Sequence, residues 1–145
     1  MAPLQFGALG RDFRDRVLKQ LSAPVQARVI RSFRVLAWCC VILLAVLSLL
    51  PAQDMVRTGL PGGLEHFVAY AGSAAIAMVG YGRRRGGAWV IAGFWVYAGV
   101  LEYLQNFSPG RDVGMADVVV SALGALCGAI AAGRLWRHLS NRLPP

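Results

Sequence analysis

Residues 35–53 read VLAWCCVILLAVLSLLPAQ, nineteen positions without a charge between Arg34 and Asp54. A run of this length and apolarity is a membrane-span candidate, because about 20 residues at 1.5 Å each cross a ~30 Å hydrocarbon core. It is longer than the 7–15 residues of a signal-peptide core and follows 34 residues, so it reads as an uncleaved span. Three more charge-free runs follow at Phe67–Gly82, Gly86–Leu101 and Val118–Gly133, each 16 residues long. The whole chain agrees with this reading. Of 145 residues, 57% are hydrophobic and 15% charged, and mean hydropathy is +0.53. Average soluble domains hold about 45–50% apolar and 25% charged residues. A soluble globule of this size leaves about 30% of its unfolded-chain surface exposed and has no place for so much apolar area. A soluble enzyme is disfavoured, and a disordered chain is excluded.

The net charge of +8 would suggest nucleic acid in a soluble protein, but here the basic residues flank apolar runs and report topology. Seven precede the first span: Arg11, Arg14, Arg16, Lys19, Arg28, Arg31 and Arg34. Arg83, Arg84 and Arg85 lie between spans two and three, and Arg134, Arg137 and Arg142 follow span four. The remaining loops hold only Arg57 and Arg111, a division of 13 against 2. The positive-inside rule then gives an all-α membrane protein, a four-transmembrane-helix bundle with both termini cytoplasmic. The expected spans are about 35–53, 65–82, 86–105 and 116–134, within a domain 35–139, with a tail 140–145. Residues 1–34 form a basic amphipathic segment. Phe13, Val17, Leu18 and Leu21, then Val25, Val29, Ile30 and Phe33, repeat one helical spacing on either side of a break at Pro24. One or two helices lying on the inner membrane surface are expected there, or a simple positive anchor. Cys39, Cys40 and Cys127 lack metal-ligand spacing and read as packing residues.

The short spans place polar residues at one depth. Sixteen residues fall about one turn short of the core thickness. At the outer ends the next residues are Glu65 and His66, Glu102, and Asp117, with Arg111 and Asp112 in the loop on that side. Helical spacing puts His66, Tyr70 and Ser73 on one face. Glu102 and Gln105 share another, with Gly99, Ala98 and Trp95 below them. Asp117, Ser121, Gly124 and Gly128 form a third. Ionisable groups at membrane depth are functional candidates with an expected partner, and Arg111 is the counter-charge expected for Glu102. Asp117 and Glu65 also suit the positive ends of their helices as plain caps, whereas Glu102 sits at a C-terminal end, unfavourable for an anion. Gly124 and Gly128 make a GxxxG, equally fit for a contact within the chain or a homo-oligomer face.

Read in order, these residues resemble the VanZ-like family of small membrane proteins. The elements are Glu65-His66-Phe67-Val68-Ala69-Tyr70, then Glu102-Tyr103-Leu104-Gln105, then Pro109-Gly110-Arg111, and Asp117 with Gly124 and Gly128, across about residues 60–130. The family's acid-Lys pair before the His is replaced here by Gly62-Gly63, so no lysine role carries over. The resemblance implies a bacterial cytoplasmic membrane protein linked to envelope chemistry, and through the family's named member to low-level teicoplanin resistance.

Three functions remain open. An outward-facing pocket of Tyr70, Glu102, Gln105, Arg111 and Asp117 would bind an anionic envelope lipid or a lipid-linked glycan headgroup. Alternatively, a membrane enzyme would act on a lipid-linked phosphate or glycan. Its catalytic candidates are His66 as base or nucleophile, Glu65 or Asp117 to orient it, and Glu102 as acid. Such a cleft also permits a divalent ion, though no metal site is assigned and the cofactor is unknown. Third, the cluster would be structural and the basic face would recruit a partner. The partners expected are membrane lipids and no nucleic acid. A transporter is least favoured, because four short helices show no inverted repeat.

Overall fold

The computed structural model describes residues 23–54, 59, 61–82, 86–111 and 113–140. These form four α-helices: α1 (Ala23–Leu49), α2 (Gly62–Tyr81), α3 (Gly86–Gln105) and α4 (Met115–Ser140). A single 3-10 turn, Ala52–Asp54, comes after α1. The all-helical class agrees with the sequence. Three helical stretches, Ala27–Leu49, Gly86–Gln105 and Met115–Leu135, are long and apolar enough to cross a membrane. The expected fourth, α2, is not among them. Nine of its 20 residues are glycine or alanine, with Glu65 and His66 in the opening turns, and small side chains dilute its hydropathy.

The expected break at Pro24 falls at the edge of the described residues, where α1 begins. Pro24 is the second residue of α1, where its missing N–H has no intrahelical partner to lose. Val25, Val29, Ile30 and Phe33 therefore continue directly into the first span rather than forming a separate surface helix. Phe13, Val17, Leu18 and Leu21 lie outside the described residues. At 27 residues α1 is about 40 Å long, more than a hydrocarbon core needs.

The bundle is organised around α2, which packs against α4 most extensively and also against α1 and α3. The α2–α4 contact explains the GxxxG. A Cβ at Gly124 would come within 3.0 Å of Phe67 Cα, and one at Gly128 within 2.8 Å of Ala71 Cα. The glycines thus let two backbones meet, flanked by the fully buried Ala74, Ala125 and Ala129. The homo-oligomer face expected at Gly124 and Gly128 is already occupied by α2 of the same chain.

The core is mostly apolar, yet apolar side chains also cover the outside. Buried positions include Ser48, Ser73, Glu102, Gln105 and Ser121, while Leu43, Leu47, Val96, Val100, Val119 and Leu123 point outward. Broad exposed apolar faces over a polar-flecked interior fit a hydrocarbon solvent. Cys39 and Cys127 also lie on the outside, so they are not the core packing residues expected.

At the end of the bundle that holds the C-terminus of α2, an arginine ties α1 to α2. Arg34 Nε donates to Gly80 O at 3.0 Å, and its guanidinium carbon lies 5.1 Å from the centroid of the Tyr81 ring. Trp38 Nε1 donates to Tyr81 Oη at 3.0 Å. A cation on the last-turn carbonyls of α2 is favourable for the helix dipole.

Candidate functional site: a polar end of the bundle

The C-termini of α1 and α3 and the N-termini of α2 and α4 meet at the opposite end. The turn after α3 makes the junction. Ser108 Oγ donates to Leu49 O at 3.0 Å, Arg111 Nη2 to Ser48 O at 2.8 Å, and Ala52 N to Pro109 O at 3.2 Å. The last carbonyls of α1 have no partner within their own helix, and this turn supplies it. Gly110 makes the geometry possible. Its φ of 74° lies in the left-handed region, and a Cβ there would stand 3.2 Å from Ala52 Cβ. The expected ion pair of Arg111 with Glu102 is replaced by this capping role. Ser108 was not singled out from the sequence. Its signal is the Ser-Pro-Gly-Arg run itself, a hydroxyl and a guanidinium flanking a tight turn.

Glu102 instead holds the chain into α4. Its Oε1 accepts from Gly114 N at 2.7 Å, and the side chain is buried, 6% exposed. The carboxylate that looked misplaced at a helix C-terminus therefore serves the next loop. It reaches a backbone amide just before α4, where negative charge is favourable. One carboxylate oxygen is spent in this bond.

Two other expected residues join Glu102. Gln105, the last residue of α3, is 3% exposed, and Tyr70 of α2 is 2% exposed. The Tyr70 ring packs edge-on to Phe94, with centroids 6.3 Å apart at 78°. Its hydroxyl lies within electrostatic range of Glu102 and Tyr97. Among the described residues, neither the Tyr70 hydroxyl nor the Gln105 side-chain amide makes a hydrogen bond. The inward face of α3 runs Phe94, Ala98, Leu101, Glu102 and Gln105. Trp95, expected on it, turns outward and donates Nε1 to Ala122 O of α4 at 3.0 Å.

His66 sits apart from the carboxylates on a different contact. Its Nδ1 lies 3.5 Å from Ser121 Oγ, which links α2 to α4 beside the Gly124–Phe67 contact. Ser121 is buried and His66 half-buried. Glu65 and Asp117 are half-buried in the first turns of α2 and α4, where an acid suits the positive dipole end. Asp112 lies outside the described residues. Among the described residues, no three of His, Cys, Asp and Glu come together closely enough to hold a metal ion. The arrangement is therefore two neighbouring features. Tyr70, Glu102 and Gln105 form a buried polar group between α2 and α3, and His66 with Ser121 forms a second between α2 and α4. Compared with known proteins, the chain matches no protein-family model, no curated protein and no solved structure.

Proposed function

We propose that the chain is a multi-pass membrane protein in which all four helices cross the bilayer. Its Tyr70–Glu102–Gln105 group receives the polar headgroup of an anionic envelope lipid or lipid-linked glycan. Connectivity supports four crossings. The ends of α1 and α3 meet at one side through the Ala52–Pro109 bond, so the chain between them must return across, and α2 is the helix that does so. The 13-to-2 distribution of basic residues supports an outer position for this end.

The observation that carries the binding reading is the buried polar group itself. Tyr70 and Gln105 are buried side chains whose polar ends make no hydrogen bond among the described residues, and the hydroxyls or phosphate of a headgroup would supply one. Arg111, which caps Ser48 O at this end of the bundle, would bring positive charge toward an anion, and Asp117 stands in the first turn of α4. The resemblance to the VanZ-like family belongs to this proposal. With it come a bacterial cytoplasmic membrane and an effect on teicoplanin tolerance or envelope biogenesis.

A structural reading competes, because Glu102 and Arg111 both hold helix ends. Native mass spectrometry of the purified full chain, wild type beside Gln105→Leu, separates the two. Loss of about tenfold of one co-purifying anionic lipid, at unchanged thermal stability, is expected. The same lipid inventory in both proteins would leave the group structural. Conversion of the retained lipid on incubation would make the site catalytic, with His66 as its base.

A further inference from the structure

The other end of the bundle carries a second site on different residues. Arg34, Ala37, Trp38 and Val41 follow the spacing i, i+3, i+4, i+7 and form one stripe of α1. Facing them are Ala77 and Tyr81 of α2, and between the two helices lies an open groove of 110 Å³. Its lining is apolar, and the polar atoms of Trp38 and Tyr81 bond to each other. That volume exceeds the roughly 30 Å³ share of one water, but water needs two to four polar partners. Hydrocarbon is the filling such a groove accepts.

The rim of the groove is cationic. A guanidinium has five N–H donors, and Arg34 spends Nε on Gly80 O. Among the described residues its four remaining donors make no hydrogen bond, and the side chain is exposed and laid against the Tyr81 ring. Stacking fixes the plane of the fork, which suits bidentate contact with a phosphate. Exposed Arg31 and Arg28 precede it on α1, and Tyr81 and Gly82 lead in sequence to Arg83, Arg84 and Arg85. No Asp or Glu occurs in residues 16–53 or 66–101 to neutralise them.

We infer that the α1–α2 groove binds one anionic phospholipid, an acyl chain lying against Ala37, Trp38, Val41, Ala77 and Tyr81 and the headgroup phosphate on Arg34. The site is distinct from the Tyr70–Glu102–Gln105 group and rests only on the reading that these helices lie in a bilayer. A basic residue near an anionic surface is worth about 1 kcal/mol, which at 1.4 kcal/mol per tenfold is roughly a fivefold preference.

The test uses the full chain in phosphatidylcholine vesicles containing equal small fractions of brominated phosphatidylglycerol or brominated phosphatidylcholine. Subtracting the Trp38→Phe variant isolates Trp38 emission. Quenching about fivefold stronger by the anionic lipid is expected, falling to parity in Arg34→Gln and largely kept in Arg34→Lys. Parity in the wild type overturns the inference, as does a preference that survives Arg34→Gln. Should Arg34→Gln disturb the helix pair, its quenching by brominated phosphatidylcholine changes too, and the wild-type ratio and Arg34→Lys still decide. No quenching of Trp38 by either lipid overturns the inference together with the membrane reading beneath it.

Discussion

Replacing Gly128 with alanine tests the packing on which the bundle depends. A Cβ at Gly128 would lie 2.6 Å from Ala71 C and 2.8 Å from Ala71 Cα, and closer still to Ala71 O. Ordinary van der Waals contact begins at 3.4 Å, so at Ala71 C alone the two backbones must part by about 0.8 Å. No flexible side chain can yield, because the obstacle is main chain. The parting also loosens Ala74, Ala125 and Ala129, which are fully buried and too short to follow. Overpacking of this kind costs roughly 1–3 kcal/mol, or on the order of 2–12 °C in Tm for a chain of this size. The control is Gly72→Ala on α2, where a Cβ meets nothing within 4 Å. Alanine there removes a glycine from a helix and raises stability by roughly 0.5–1 kcal/mol. Thermal unfolding of the detergent-solubilised protein, followed by circular dichroism, measures both. A Gly128→Ala protein as stable as Gly72→Ala would refute the close approach of α2 and α4.

The helix-end bonds give further expectations. Glu102→Ala leaves Gly114 N–H without its acceptor and should cost about 1–3 kcal/mol, whereas Glu102→Gln keeps an acceptor oxygen and should cost less; equal losses in thermal unfolding would contradict the bond. Arg111→Ala removes a charged donor from Ser48 O and should destabilise by about 1–2 kcal/mol, and adding Ser108→Ala, which frees Leu49 O, should deepen the loss. Ser121→Ala gives up only a 3.5 Å contact with His66 and should shift Tm little, by less than about 1 kcal/mol.

The fold was legible wherever one property decided it. Charge-free runs located all four helices, because water and hydrocarbon separate residues strongly. Pro24 stands in the first turn of α1, where proline is tolerated, so the apolar residues after it run on into the first long helix. The burial of Glu102, Gln105 and Tyr70 followed from spacing alone, since polar side chains on one helix stripe turn inward in an apolar solvent. Their partners did not. Gly114 N–H and Ser48 O are backbone groups that every residue carries, so no pattern of side chains announces them, and charge complementarity pointed Arg111 to the wrong acceptor. The contact of Gly124 and Gly128 with Phe67 and Ala71 was half legible: the motif announced a close approach but not which helix would make it.

The cap on α1 has a consequence for biosynthesis. Its carbonyl acceptors at positions 48 and 49 and their donors at 111 and 108 are separated by 63 and 59 residues. At roughly 5–20 residues per second, the ribosome delivers the donors on the order of 3–12 s after the acceptors. During that interval the end of the first helix has only water or lipid headgroups to satisfy it. The end of α1 is therefore capped only after the turn at 108–111 has been made, whereas the Arg34 and Trp38 contacts that pair α1 with α2 can form before it.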